Sequence, residues 1–562
     1  MNIIIDQKRK SLGLPPTLGE IDKTLVDMFE TACQQYANKL AITCHGDSLT
    51  FAEVYKKVVN LAKHFKKIGV GFGDKVLIML PNSIQYPIAL FAVLYVGATV
   101  VNCNPLYTES EIEYLINNSQ VSTVIVLDLF ANKLNEILDN TAVKQVIVTN
   151  IADFYSTFKK VCINFVLKFI KKTKVDAKFK YIKFSKLLTD LNHEEDPKYR
   201  ELAISDCAFI QYTGATTGKP KGAILSHRNV VYNIHQVFSF TENQIVGCLS
   251  KQVVINALPL YHIFSLMSNL LVFFCRGSHN IMITNPHDTK SMVKVMVDSK
   301  FTVFNALDTL YYKLLSSTSF MSNEYPNFGY SICGGMISRP SVICRWKEKT
   351  GVTPTNCYGL TESSPVVSMN TFSDEFNGSV GTPLVDTEVR LYDIENNQII
   401  NEENVSGSIF IKGPQVIKEY YNNAEATKLA FNKDGFLKTG DIGKFIDGNL
   451  YIQSREIDMI IVSGFNVYPA EVEDVIASSN LVKEVAVVGS LSNVTGEQVN
   501  AFVVLADSNT GSVEIIEQTI KDYCRTRLAK YKNPRKIIII DSLPKTLIGK
   551  PDKKILSKKL QS

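Results

Sequence analysis

Apolar positions along this chain change texture twice. Up to about Val385, short β-branched runs such as Val76-Leu77-Ile78-Met79-Leu80, Thr123 to Leu127 and Gln145 to Val148 lie between amphipathic stretches. That alternation predicts parallel sheets with crossover helices. The most apolar run, Ile88 to Val101, is shorter than the roughly 20 residues needed to span a bilayer and contains Gly97 and Thr99, so it reads as a buried helix passing into a strand. Beyond Val385 come short strands with turn residues, Glu388 to Tyr392, Ser408 to Ile411 and Asn449 to Ile452, the mark of a β-rich unit. From Glu471 an α/β pattern starts again. Strands are expected at Val485 to Val488, Ala501 to Val504 and Lys536 to Ile540, with a helix whose Ile516, Ile520, Tyr523 and Cys524 share one face.

The expected fold class is therefore α/β. A large N-terminal domain, 1–454, would combine parallel-sheet subdomains with the β-rich one, and a small mobile C-terminal α/β domain, 455–562, would follow a hinge near 454–458. At 562 residues several cores and the clefts between them are affordable in surface terms. No internal repeat and no long low-complexity linker interrupts the chain.

A formal charge of only +5, with acids and bases mixed, speaks against a nucleic-acid binder with a continuous basic face. The 11 cysteines form no CxxC pair and no zinc-finger spacing with histidine, which points to a reducing, cytoplasmic setting rather than to disulfides or zinc. The N-terminus lacks the order of a secretory signal. One stretch stands apart: in residues 159–186, lysines alternate with Phe, Ile, Val and Leu around a single acid, Asp176. It has two readings, peripheral contact with an anionic membrane on the inner face or a solvated helical excursion.

The chemistry begins at Tyr212 to Gly222, YTGATTGKPKG. A Walker loop needs four residues between its first Gly and the Gly-Lys pair, then Ser or Thr. Here Gly214 and Gly218 enclose three, and Pro220 occupies the hydroxyl position, so that reading fails. What remains is a run of small and hydroxyl residues, Thr213, Gly214, Ala215, Thr216, Thr217 and Gly218, able to wrap phosphate oxygens, with Lys219 and Lys221 adding charge.

The longer string Ile210 to Asn229 resembles the phosphate-loop signature of the acyl-adenylate-forming superfamily, which includes acyl-CoA synthetases, peptide-synthetase adenylation domains and firefly-type luciferases. Further blocks follow in that superfamily's order: ALPLYHIFSL (257–266), ICGGM (332–336), CYGLTESSP (357–365), GFLKTGDIG (435–443), VSGFNVYPAEVED (462–474) and LPKTLIGK (543–550). The shared order excludes chance. Val100 to Ser119 and the insertion around Asn164 to Lys172 resemble the bacterial long-chain fatty acid CoA ligases.

The resemblance implies activation of a long-chain fatty acid by ATP to acyl-AMP, with release of pyrophosphate, then transfer to coenzyme A. It implies that Thr213 to Gly218, with Lys221, grip the β- and γ-phosphates, that Glu362 holds Mg²⁺ and that Thr361 donates to the α-phosphate. Gly334 and Gly335 would bring backbone close to the adenine on which Tyr358 stacks. Asp441 would take the ribose hydroxyls beside Arg455. Lys550 would be the catalytic cation and His262 would flank the substrate carboxylate, whereas His227 is left as structural. Ser463, Gly464 and Phe465 would admit the pantetheine thiol after the small domain swings. The many Phe and Leu residues between Asn269 and Leu315 are expected to be mostly core, some of them lining an acyl tunnel.

Four positions depart from the family pattern. Ser454 and Ile457 stand in the hinge where an acid and a charged residue are usual, Pro551 follows Lys550 and biases it toward extended backbone, and Phe436 replaces a Trp. An amino-acid-activating domain is disfavoured, because Tyr261-His262-Ile263-Phe264 offers no Asp for an α-amine. A fatty acyl-AMP ligase serving a carrier protein and a catalytically impaired acyl or nucleotide sensor remain as alternatives.

Overall fold

A computed structural model describes residues 2–154, 177–191, 201–213, 220–241, 244–245, 249–372, 374–462, 465–479, 481–492, 495–506, 512–546 and 550–561. The first α/β layer is a seven-stranded sheet in the order Ile182–Lys183, Gln145–Thr149, Thr123–Leu127, Lys75–Met79, Thr99–Asn102, Cys207–Tyr212 and Gly222–Ser226. All its pairings are parallel except the last. Its strands are apolar on both faces because helices cover both, as in other doubly wound sheets. The helix Gln85–Tyr95 is buried along its whole length and passes into Thr99–Asn102, as the sequence predicts. Gly97 makes the turn between them at φ +75, where a Cβ would sit 2.9 Å from the Phe72 ring.

A second sheet of five strands carries Val303–Phe304, Val253–Asn256 and His279–Met282 in parallel beside Leu40–Cys44 and Asp47–Thr50. Between the two layers runs the largest apolar core, centred on Phe29, Phe51, Phe91 and Phe274. Of the Phe-rich strings between 269 and 315, Phe273 and Phe274 belong to this core, while Phe301 and Phe304 belong to a second one around Trp346. A four-stranded sheet follows, with Ile332–Cys333 parallel to Thr355–Gly359, and then the β-rich unit, an antiparallel meander ending in Leu437–Ile446 and Asn449–Arg455.

The last sheet, in which Gly496–Leu505 pairs with Val482–Ser492, Ile460–Val462 and Lys536–Ile539, has its own core of Val487, Val499, Ala501, Val503, Ile516 and Ile520. Helix Val513–Arg525 buries Ile516, Ile520 and Cys524. Tyr523, expected on the same face, is half-buried at its edge, where its hydroxyl donates to the Ser478 carbonyl at 3.1 Å. Among the described residues no helix is long and apolar enough to cross a membrane, and the nine described cysteines are free.

The arrangement places a site by a simple rule: in open α/β sheets ligands sit beyond the carboxyl ends of parallel strands. Thr213 follows the end of Cys207–Tyr212, Ala257 to His262 follow Val253–Asn256, Gly334 follows Ile332–Cys333 and Leu360 follows Thr355–Gly359.

Candidate active site

Buried amides fix the loop that carries His262. Asn82 donates to the carbonyls of Asn256 and Leu258 at 2.9 and 2.8 Å and accepts from the Leu260 N–H at 2.9 Å. Tyr86 donates to Asn102 and to the Leu260 carbonyl, both at 2.8 Å. Asn102 donates to Gln211 at 3.1 Å, and Gln211 reaches the Tyr261 carbonyl at 2.9 Å. These polar groups are almost fully buried, where an unpaired donor or acceptor is costly. The network therefore locks the His262 loop to the strand that ends in the phosphate loop. Sequence reasoning missed all four side chains, since nothing in their spacing distinguishes them from ordinary polar residues.

The Lys550 charge acts on His262, and Lys550 is linked in turn to Arg455 and Asp441, and through Arg455 to Tyr358 and Glu362. Tyr358 donates to Oδ2 of Asp441 at 2.6 Å, and the Nε of Arg455 stands 2.9 Å from Oδ1. Burial lifts the Asp441 carboxyl above its usual range, against the pull of Arg455, Tyr358 and Lys550. Burial also works to lower Arg455, but Asp441, Tyr358, Glu362 and Asp458 outweigh it and the guanidinium stays firmly charged. Lys550 is pushed down to about 8 by burial and then by Arg455, with Asp441 opposing. His262 falls to about 4 through burial and the nearby Lys550 charge, so its ring is neutral at physiological pH. A single charged network thus joins residues from the large domain's strands to the last loop of the chain.

That loop is held as a small hairpin. Thr546 N–H donates to the Lys550 carbonyl at 2.7 Å, Lys550 N–H donates to the Thr546 hydroxyl at 3.2 Å, and Pro551 bridges Lys545. Pro551 biases Lys550 toward extended backbone. At the expected hinge position, Ser454 is buried and its hydroxyl finds no partner among the described residues. Two residues on, Glu456 pairs with Lys438 at 2.8 Å and accepts from the Ser408 hydroxyl.

Glu362 lies in a short 3-10 turn, Thr361–Ser363, shaped by the Leu360 N–H donating to the Pro365 carbonyl at 3.0 Å. Its Oε1 accepts from the Tyr420 hydroxyl at 2.7 Å, and among the described residues nothing donates to Oε2. No group of three or more His, Cys, Asp or Glu side chains that could hold a metal occurs among the described residues. A hard cation here would therefore take one carboxylate oxygen and complete its shell with phosphate and water oxygens, the habit of magnesium rather than zinc. Thr361 shares the turn and remains half-exposed. Lys221 lies with Nζ 5.3 Å from the centre of the Tyr420 ring.

Gly335 has φ +78, a left-handed conformation that favours glycine. Gly334 has a different reason: a Cβ there would lie 2.6 Å from Cys357 Sγ and 3.1 Å from the Phe264 ring. Its smallness lets these two side chains close the wall of an apolar cavity. That cavity, of about 10 Å³, is lined by Val237, Phe264, Met267, Ser268, Val272, Ile332, Cys357, Val366 and Met369. It lies two residues from His262 along the chain, and of the span 269–315 only Val272 contributes to it.

Thr213 is fixed by its N–H donating to the Lys221 carbonyl at 3.0 Å. Gly214, Ala215, Thr216, Thr217, Gly218 and Lys219 lie outside the described residues, as do Ser463 and Gly464 and residues 159–176 of the lysine-rich stretch. Phe465 is exposed and stacks on Tyr531, with ring centroids 4.8 Å apart. His227 accepts the Leu25 N–H at 3.2 Å and ties two helices together.

Residues 29–421 match the model of the AMP-binding enzyme family, and residues 471–550 match that of the AMP-binding enzyme C-terminal domain. A long-chain-fatty-acid–CoA ligase of Escherichia coli O6:H1 is 39% identical over 536 residues, covering 94% of this chain and 93% of its own. Among solved structures, ATP-bound MatB from Rhodopseudomonas palustris is similar with a TM-score of 0.80 at 26% identity, covering 96% of this chain and 99% of its own. The anthranilate CoA ligase AuaEII, solved with anthranoyl-AMP, shares the fold with a TM-score of 0.83 at 22% identity, over 96% and 98% of the two chains.

Proposed function

We propose, from the premise that this chain belongs to the AMP-binding enzyme family, that it is a long-chain-fatty-acid–CoA ligase working through an acyl-adenylate. The observation that carries the reading is Lys550 standing between neutral His262 and the Arg455–Asp441 pair. A carboxylic acid would place its head group at the charged network, and its tail would have to open the apolar packing around Phe264 and Met267, where the present cavity has room for about one water.

In the first half-reaction a carboxylate oxygen of the fatty acid attacks the α-phosphorus of ATP, the bond to the bridging oxygen breaks, and pyrophosphate leaves. Such transfers are accelerated mainly by positioning and by neutralising charge. Lys550 supplies a cation to the carboxylate and α-phosphate oxygens. Thr213 to Gly218, with Lys221, hold the outgoing phosphates, and Thr361 donates to the α-phosphate. Tyr358, Gly334 and Gly335 frame the adenine, and Asp441 with Arg455 orients the ribose. Magnesium, when bound through Glu362, neutralises phosphate charge. Neutral His262 orients the carboxylate without adding a competing cation.

In the second half-reaction the thiol sulfur of coenzyme A attacks the acyl carbon and AMP departs. Residues 455–562 turn about a hinge at 454–458 relative to 1–454, withdrawing Lys550 and presenting Ser463, Gly464 and Phe465 to the pantetheine. Glycine at 464 leaves room for a narrow thiol channel. The cysteine set fits work in the reducing cytoplasm, and the lysine and aromatic interleaving of 159–186 supports peripheral contact with an anionic inner membrane face.

The test is a balance sheet of products. With ATP, magnesium, palmitate and coenzyme A, purified protein is expected to yield palmitoyl-CoA, AMP and pyrophosphate in equal amounts, with shorter acids turned over more slowly. Acyl-AMP that forms but never passes to coenzyme A would replace this reading with a carrier-protein ligase. Nucleotide binding without any pyrophosphate would leave only a sensor.

A further inference from the structure

Tyr420 has no part in the reaction as described, yet it is the one described side chain that touches the Glu362 carboxylate. We propose that Tyr420 is a positioning residue for the metal-binding carboxylate: its hydroxyl holds Oε1 of Glu362, leaving Oε2 for the cation, and its backbone couples that carboxylate to the strand leaving the phosphate loop. The proposal rests on the reading of Glu362 as the magnesium ligand.

Three features carry it beyond an incidental contact. Tyr420 is nearly buried, at 7% exposure, and its hydroxyl lies 2.7 Å from Oε1, a hydrogen bond to a charged acceptor and so stronger than a neutral one. The segment around it is stitched to both halves of the phosphate site. Tyr421 N–H donates to the Gly222 carbonyl at 2.7 Å, Ile224 N–H donates to the Glu419 carbonyl at 3.3 Å, and Tyr420 bridges Ala223. On the other side Ile417 N–H donates to the Glu362 carbonyl at 2.9 Å and the Ser364 hydroxyl donates to the Gln415 carbonyl at 2.9 Å. Finally, Lys221, the last cation of the phosphate loop, lies over the Tyr420 ring. The ring therefore sits between a phosphate-side cation and the carboxylate, and a shift of either is felt by the other.

The carboxylate of an untethered glutamate samples several rotamers, and a cation that needs one of them binds more weakly by the fraction of time the others are occupied. Tethering one oxygen removes that loss without adding a metal ligand. A merely structural Tyr420 would contribute to folding and leave metal affinity alone.

The experiment titrates full-length wild type, Tyr420→Phe, Tyr420→His and Glu362→Gln with α,β-methylene-ATP by calorimetry, with Mn²⁺ and with EDTA, alongside thermal melts. No chemistry occurs, so the readout is the gain in nucleotide affinity that the metal brings. The expected result is that wild type shows the gain, Glu362→Gln loses it, Tyr420→Phe loses about tenfold of it, as for one hydrogen bond to a charged group, and Tyr420→His, which keeps a ring donor, recovers part. The half-saturating Mg²⁺ for pyrophosphate release should rise by a similar factor in Tyr420→Phe. If Glu362→Gln loses the gain but Tyr420→Phe keeps all of it, with or without a lowered melting temperature, the positioning role is wrong while the ligand stands. If Glu362→Gln keeps the gain, the ligand assignment falls and takes this proposal with it.

Discussion

Lys550 gives the sharpest pH signature. Its amine is held down to about 8 from the ordinary 10.5, first by burial, then by Arg455, with Asp441 opposing. That difference amounts to roughly 3 kcal/mol against keeping the amine charged in the empty pocket. The direction matters. The docked loop binds its proton less tightly than the undocked loop, so below pH 8 docking carries the full penalty, and the penalty shrinks as pH rises from 8 toward 10.5. Activity runs the other way, because the adenylation step needs the protonated amine. At limiting ATP, where kcat/KM reports the free enzyme, pyrophosphate release should therefore fall tenfold per pH unit above an apparent pKa of about 8. At saturating ATP and fatty acid, phosphate and carboxylate charges stabilise the ammonium, and the alkaline limb of kcat should move upward. His262, already neutral above about 4, adds no limb in this window. Lys550→Arg keeps a cation to beyond pH 12, so its alkaline limb should vanish below pH 10 even though its overall rate drops. An alkaline limb near pH 8 that survives unchanged in Lys550→Arg would show that another group titrates and that the assignment of the lysine is mistaken.

Other outcomes follow from the same geometry. Asn82→Ala removes the partner of the Leu260 N–H and of two carbonyls and should cost about 3 kcal/mol of stability. Its melt should be accompanied by a raised KM for fatty acid, since the His262 loop loses its anchor. Gly359→Ala puts a Cβ 1.9 Å from the Pro365 carbonyl oxygen, which must displace the turn carrying Thr361 and Glu362. ATP affinity measured by calorimetry should drop at least tenfold, and wild-type affinity would mean the turn does not hold the nucleotide. Val366→Phe adds more volume than the cavity beside the strand Val366–Met369 holds and should lower the melting temperature by overpacking, costing about 1–3 kcal/mol; an unchanged melt would show that the wall yields.

The sequence spoke most clearly where chemistry needs a particular string. The phosphate loop and the PKTLIGK loop are legible because few other uses demand those residues in that order. Long apolar runs, such as the helix and strand between Gln85 and Asn102, were legible for a different reason: burial on all sides leaves no polar face to confuse the period. Strands of two residues, Ile332–Cys333, Thr382–Pro383 and Ile399–Ile400, carry no period at all, and neighbouring strands decide them. Gly334, expected from the sequence to leave space for adenine, has a packing reason besides, the close approach of Cys357 and Phe264. Asn82, Gln211 and Tyr420 escaped notice because their roles depend on partners up to 178 positions away. The sequence shows the missing acid at Ser454 but not that Glu456, two residues on, holds Lys438, since that pairing depends on the fold.

The most direct test of the account separates the two half-reactions in Lys550→Ala. Pyrophosphate release from ATP and palmitate should fall by roughly 10²- to 10³-fold, as when one charge-stabilising donor is removed from an active site. Palmitoyl-CoA formation from preformed palmitoyl-AMP should stay within a few-fold of wild type. Equal losses in both steps, or undiminished pyrophosphate release, would contradict the claim that this lysine delivers its charge to adenylation alone.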